Sequence, residues 1–263
     1  MSWQEFWNGN TTIYVNERHK QVHYRRIAED IVAHIEHDQA RVLDFGCGEA
    51  LSAHVVAGAC DQLFLCDAAE TVRGRVKARL RGVPNARVMS PEAVAAMPDG
   101  AFDVIVANSV IQYLSRADLE GWLATWRRVL APSGKLILGD IVPRGVGPLV
   151  DAAALLKFAN QHGFLVAAAG GLVRTALSDY RRKRAELGLL QLDETEIVTL
   201  ARAAGLHAGR HDRNLGHNPS RLTIVATPMT VPVALPTAPA VDVRVPRYEI
   251  REAVAPLATP PRS

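Results

Sequence analysis

Residues 42–50 read Val-Leu-Asp-Phe-Gly-Cys-Gly-Glu-Ala, a short apolar run that closes on a carboxylate and then on two glycines one residue apart. An apolar run of this length followed by such a turn reads as a buried strand leading into a helix. Gly46 and Gly48 carry no Cβ, so the backbone there can turn sharply and approach a ligand closely. A helix that begins just beyond offers free N–H groups. A second carboxylate, Asp67, closes the next apolar run about twenty residues later, where it can accept both hydroxyls of a ribose. A nucleotide-like ligand beyond the carboxyl ends of parallel strands is what this pattern favours.

The rest of the chain agrees with that start. Short apolar runs at 41–45, 62–66, 86–89, 102–107, 135–141, 206–211 and 221–227 alternate with amphipathic stretches. This is the pattern of a mostly parallel sheet covered by helices on both faces. Gly58 and Gly82 follow helical stretches, and Asp193 with Glu196 forms a capping-box pattern for a helix ended by Gly205. Residues 1–40 read as an aromatic start and one helix, with Tyr24, Ile27, Ala28, Ile31 and Ile35 on its apolar face. The domain proper spans 41–229 and carries an insertion at 148–188. Beyond it the composition shifts: eight of the fifteen prolines fall in the last 36 residues, so 230–263 reads as an extended tail. Within the tail, 241–245 alternates and could dock as an edge strand.

Which ligand the glycine turn holds is a question of charge. A tight turn that merely lets helix and strand pack is the plain reading of Gly-x-Gly. Asp67 weighs against it. A dinucleotide fingerprint wants a third glycine where Leu51 stands, and its loop must hold a pyrophosphate. Asp44 would repel a pyrophosphate but suits the ammonium end of a methionine moiety. A nicotinamide-dependent oxidoreductase is therefore the weaker enzyme reading. A catalytically silent binding module is a third.

Four segments in order resemble the class I S-adenosylmethionine-dependent methyltransferases. They are Leu43-Asp44-Phe45-Gly46-Cys47-Gly48, Leu65-Cys66-Asp67, the stretch 97–114, and the stretch 129–138 with its Pro132-Ser133-Gly134 turn. The resemblance covers roughly residues 40–227. It implies a Rossmann-like three-layer α/β sandwich with a seven-stranded, mostly parallel sheet whose last strand runs antiparallel. It implies that S-adenosyl-L-methionine is the cofactor. Asp44, Gly46, Cys47 and Gly48 would hold its methionine end, Asp67 and Ala68 the ribose, and Ser90 or Glu92 would lie near the adenine. Asn108 would face the reacting centre, or with Ser109 cap a helix. Two departures stand out. Ala50 replaces a usual glycine, which suits a position already helical, and Ser90-Pro91-Glu92 replaces a usual Gly-Asp.

An acceptor that must lose a proton needs a base. His19, His23 and Asp140 are the catalytic candidates, with His211 and His217 also in view. His19 and His23 stand one turn apart, yet no third ligand is evident and no metal site is expected. Trp3, Phe6, Trp7 and Tyr14 of the aromatic start could form a lid over the cofactor, since aromatic faces suit a sulfonium cation. Packing against the sheet is the stronger reading for Trp3 and Trp7, and Tyr14, just before the first helix, is the better ligand candidate. Gln112 and Tyr113 are placed to line an acceptor pocket, and Phe158, His162 and Phe164 of the apolar insertion could join them. The insertion could equally be extra core.

The remaining composition narrows the partners. A net charge of +3 with mixed signs does not suggest a nucleic-acid binder, and the run Arg181-Arg182-Lys183-Arg184 reads as a solvated helix face. Residues 108–111 also lack the Asn/Asp-Pro-Pro-aromatic pattern of enzymes that methylate amino groups on bases or glutamine. Cys47, Cys60 and Cys66 lack zinc-site spacing and read as buried thiols. No secretory signal or membrane span is evident, so a cytoplasmic location is expected. The reading is a methyltransferase for a small, partly apolar molecule, with a homodimer left open. The tail yields the first test. Its prolines block helix and central-strand pairing, so truncation after Met229 is expected to leave the melting temperature within a few degrees. A large loss would mean that 241–245 is paired.

Overall fold

The structure is a computed structural model that describes residues 14–176 and 188–229. Trp3, Phe6, Trp7, the run 181–184 with its expected helix at 179–187, and the tail from 230 lie outside the described residues.

The chain opens with α1 (Glu17–Val32), whose N-cap Asn16 accepts a hydrogen bond from the His19 backbone N–H at 2.8 Å. It continues through β1 (Arg41–Phe45), α2 (Ala53–Ala57), β2 (Gln62–Cys66), α3 (Glu70–Arg79), β3 (Ala86–Met89), α4 (Pro91–Ala95) and β4 (Phe102–Asn108). A single 3-10 turn at Ile111–Tyr113 leads into α5 (Arg116–Val129) and β5 (Leu130–Ile141). The insertion folds as α6 (Pro148–His162) and α7 (Leu165–Ala176), and α8 (Glu194–Ala203), β6 (Leu206–Arg210) and β7 (Leu222–Pro228) finish the domain.

The seven strands form one sheet in the order β3-β2-β1-β4-β5-β7-β6. β1 to β5 pair in parallel, while β7 runs antiparallel to both of its neighbours. The expected architecture is thus present, and the expected strand positions agree to within a residue except at β5. That strand begins at Leu130, because Pro132-Ser133-Gly134 bulges within it instead of preceding it.

Both sheet faces are dry. Leu119, Leu123, Trp126 and Val129 of α5 recur at helical spacing and pack with Leu43, Ile105 and Leu136 on one face. Ile27, Ala28 and Ile31 of α1 join Val56, Val72 and Val76 on the other. The expected capping box of α8 is present, with Asp193 and Glu196 each accepting the other's backbone N–H.

The insertion supplies extra core of its own, as one of its two readings expected. Phe158, Ala159, Phe164 and Ala168 form a separate small cluster against Val15 and Val22, while Leu149 and Val166 are 85% and 88% exposed.

The turn after β1 also departs from expectation. Ala50 is not helical: its φ is +44°, and α2 begins only at Ala53. Gly46 (φ +79°) needs its missing Cβ twice over, because a methyl there would overlap Cγ2 of Val110. Gly46→Ala is therefore expected to destabilise by about 2–5 kcal/mol, the sum of left-handed strain and overpacking. A double mutant with Val110→Ala should recover the packing share. Ala50→Gly should change stability by less than about 1 kcal/mol, since relief of strain is offset by lost methyl burial and added chain entropy. Denaturant melts measure all three, and a benign Gly46→Ala would mean that Val110 yields freely.

Candidate functional site

The chain leaves β1 towards β2 on one side of the sheet and β4 towards β5 on the other. The connections after β1 and β4 therefore diverge and leave a crevice between them, the usual ligand position in an open α/β sheet. A cavity of about 790 Å³ lies there, within the range of small-molecule sites. Its walls come from the turn after β1, the end of β2, the turn after β4, the end of β5, α1 and the β6–β7 loop.

The turn after β1 is held by its neighbours. Gly46 and Cys47 donate backbone N–H bonds to the Cys66 carbonyl at 2.7 and 2.9 Å. Asp67 accepts from the N–H groups of Gly48 at 3.0 Å and Ala69 at 2.8 Å. Each carboxylate oxygen retains a further lone pair for a ligand. From above, the Tyr24 hydroxyl accepts the Glu49 N–H at 2.8 Å and occupies the space that a Cβ on Gly48 would need. The glycines are thus required by the protein's own Val110 and Tyr24 as well as by any ligand. Tyr24 was legible in the sequence only as part of an apolar face; nothing local signalled its hydroxyl contact.

Asp44, Gly46, Cys47, Gly48, Asp67, Ala68, Asn108 and Tyr14 all border this cavity, as do His19, His23, Asp140, Gln112 and Tyr113. Ser90 and Glu92 do not. Ser90 caps α4 through the Ala93 N–H, Glu92 is exposed, and Pro91 borders the cavity in their place. Phe158, Phe164 and His162 also lie off this cavity, and Phe158 and His162 border a second, smaller one with His217. Asn108 and Ser109 are not caps. The residue preceding the 3-10 turn is Val110.

Two strained residues mark the ends of β4 and β5. Ser109 and Asp140 each have a φ of +57°, and the Ser109 hydroxyl donates to the Asp140 carboxylate at 2.7 Å. The register of β5 against β7 shifts between Leu138 and Ile141, where Asp140 stands. Asn214 helps to hold this bend by accepting the Asp140 backbone N–H at 3.1 Å. Left-handed conformations in non-glycine residues cost about 1–3 kcal/mol each and cluster at functional sites.

The electrostatics of the cavity are uneven. Burial and the nearby charge of Asp67 push the Asp44 carboxyl up to about 7. Burial also raises Asp67 and Asp140 above the usual carboxylate range. The bordering cations Lys20 and Arg75 both pair with Glu49, at 4.0 and 2.7 Å. Burial lowers the imidazoles: His19 and His217 to about 4 and His23 to about 3. All three are neutral at pH 7. His211 lies instead against His34, with ring centroids 5.1 Å apart. Among the described residues no group of three or more His, Cys, Asp or Glu side chains could hold a metal ion.

Residues 43–138 match the family model of a methyltransferase domain. A Mycobacterium tuberculosis protein named a probable S-adenosylmethionine-dependent methyltransferase is 33% identical over 122 residues, 46% of this chain and 40% of that one. A ubiquinone biosynthesis O-methyltransferase of Xanthomonas oryzae is 33% identical over 108 residues, 39% of this chain and 43% of its own. The chain spans less than half the length of these curated relatives. An Aquifex aeolicus SAM-dependent methyltransferase shares the fold, with a TM-score of 0.51 at 16% identity over 79% of this chain and 94% of that one.

The raised carboxyl of Asp44 has a measurable consequence. Its pKa is higher folded than unfolded, where carboxyls titrate near ~3.9. The folded protein thus loses stability as pH rises from there to about 7, and the loss stays constant above. Asp44→Asn removes that cost, so the ligand-free variant is expected to melt above the parent at pH 8 and level with it near pH 3. Each kcal/mol recovered reads as roughly 2–4 °C. Scanning fluorimetry at both values tests this, and a variant that melts lower at pH 8 refutes the assignment.

Proposed function

We propose that the chain is an S-adenosylmethionine-dependent methyltransferase acting on a small, partly apolar acceptor. The observation that carries the reading is the cavity at the β1/β4 divergence, bordered by Asp44 and Asp67 and by two cations already engaged by Glu49. Such a lining suits a ligand that brings its own positive charge. S-adenosylmethionine brings two, an ammonium and a sulfonium, and the ribose hydroxyls suit the remaining lone pairs of Asp67. A pyrophosphate would meet the same carboxylates as repulsion, which weighs against a nicotinamide dinucleotide.

In this reading Asp44 and the turn Gly46–Cys47–Gly48 receive the methionine end, while Asp67 and Ala68 receive the ribose. With Ser90 and Glu92 off the cavity, the base end falls beside Pro91. Tyr14 and Asn108 lie towards the reacting end, and Gln112 and Tyr113 take the acceptor. Phe158, His162 and Phe164 shape the acceptor side from behind the cavity wall. When bound, the cofactor supplies an electrophilic methyl group. What the chain supplies is orientation, exclusion of water and a place for a proton, with His19, His23 and Asp140 as the groups at hand. A cavity of about 790 Å³ agrees with a small molecule and not with a nucleic acid, and no described helix is long and apolar enough to cross a membrane.

Isothermal titration tests the cofactor. S-adenosylhomocysteine is expected to bind, and Asp67→Ala to weaken it by roughly 1–3 kcal/mol, the scale of lost charged hydrogen bonds. Unchanged affinity in a folded variant would place the ribose elsewhere. Binding of a nicotinamide dinucleotide in place of S-adenosylhomocysteine would favour the oxidoreductase.

A further inference from the structure

Three imidazoles from two distant parts of the chain border one end of the cavity. His19 and His23 come from successive turns of α1, and His217 comes from the loop between β6 and β7. Their ring centroids form a near-equilateral triangle, each pair 6.3 Å apart. The insertion holds two of them in place. Phe164 stacks on His19 at 5.1 Å and 18°, and Phe158 stacks on His217 at 4.5 Å and 21°. Tyr14 packs against His19 and His23, both at 5.4 Å. The insertion thus acts on the cavity through the rings it backs.

These rings differ in hydrogen-bonding state. His19 Nδ1 accepts the Val15 backbone N–H at 3.3 Å, which leaves its proton on Nε2 as a donor. His23 and His217 have no hydrogen-bond partner among the described residues, so each offers one donor and one acceptor. Three ring nitrogens 2.0–2.1 Å from one metal would hold their centroids closer than 6.3 Å, so the triangle is too wide for a metal. It is wide enough to surround one hydroxyl group.

Resting on the methyltransferase reading, we propose that His217 completes with His19 and His23 a neutral receptor for the acceptor's hydroxyl, and that the acceptor is an uncharged, phenol-like molecule methylated on oxygen. His19 Nε2–H donates to the oxygen, and His23 or His217 accepts its proton. As the oxygen gains the methyl carbon, the electron pair of the broken carbon–sulfur bond stays on the cofactor's sulfur. The hydroxyl proton passes to the imidazole and then to solvent. A weak base suffices, because the hydroxyl becomes strongly acidic only as the new bond forms. The same base could not deprotonate an alkylammonium beforehand. A carboxylate or phosphate acceptor would find no unpaired cation among the described residues bordering the cavity, since Lys20 and Arg75 are held by Glu49. Arg221, near His217 but off this cavity, has its charge matched by Asp151, whose carboxylate oxygens both accept from Nη2, at 2.8 and 2.7 Å. The buried Nε and Nη1 of Arg221 make no hydrogen bond among the described residues.

The test uses the full chain loaded with S-adenosylhomocysteine and three probes of one size: phenol, benzoate and benzylamine. Phenol is expected to saturate and to shift the ring NMR signals of His19, His23 and His217, with the two charged probes binding about tenfold or more weaker. His217→Asn should weaken phenol about tenfold, the size of one lost hydrogen bond, and leave S-adenosylhomocysteine affinity and melting temperature nearly unchanged. If that variant fails to fold, His23→Asn carries the same test. Preference for benzoate or benzylamine, or phenol affinity indifferent to both substitutions, overturns this inference while cofactor binding stands. Failure of S-adenosylhomocysteine to bind the parent chain removes the methyltransferase reading and this inference together.

Discussion

The reversal of strand order between β1 and β4 governs most of what this molecule can do. Because the chain builds outward from β1 in one direction and from β4 in the other, the connections that follow these two strands diverge and leave a gap between their carboxyl ends. The candidate site is arranged around that gap. The glycine turn follows β1, the strained Ser109 follows β4, and Asp67 and Asp140 stand at the ends of the flanking strands. The dry sheet behind it fixes these groups, since β1, β2, β4 and the core half of β5 are covered by helices on both faces.

Around this gap the charge is divided. Asp44 and Asp67 stand buried beside the glycine turn without a direct ion pair among the described residues, at a cost in the ligand-free state. Neutral imidazoles collect at the opposite side, between α1 and the β6–β7 loop. A cationic ligand and an uncharged one can therefore sit in the same cavity without competing for the same groups. α1 touches both regions: Tyr24 and Lys20 reach the turn through Glu49, and His19 and His23 reach the imidazole triangle. A change in the seating of α1 would thus alter both regions together.

Much of this was legible in the residues because it is written in local patterns. Apolar runs between turns gave the strands, since strand burial repeats over a few neighbours. Asp44 and Asp67 were legible for the same reason, each closing its strand. The capping box at Asp193 and Glu196 lies within four residues. Where the pattern misled, a non-local contact decided one case and a local cap the other. Ala50 looked compatible with a helix, yet its backbone is left-handed because the turn is pinned to Cys66, Asp67 and Tyr24 before α2 starts. Ser90 looked free to meet a ligand, yet its hydroxyl is spent on capping α4.

The sequence by itself determined the sheet, the glycine turn and the two acidic residues that close β1 and β2, because periodicity and turn chemistry act over short separations. Only the tertiary structure decided the meeting of His217 with His19 and His23, nearly two hundred residues apart in the chain. It also decided that Phe158 and Phe164 would stack behind those rings. Such contacts depend on how the insertion and the β6–β7 loop pack across the end of the sheet, and no spacing along one strand or helix encodes that.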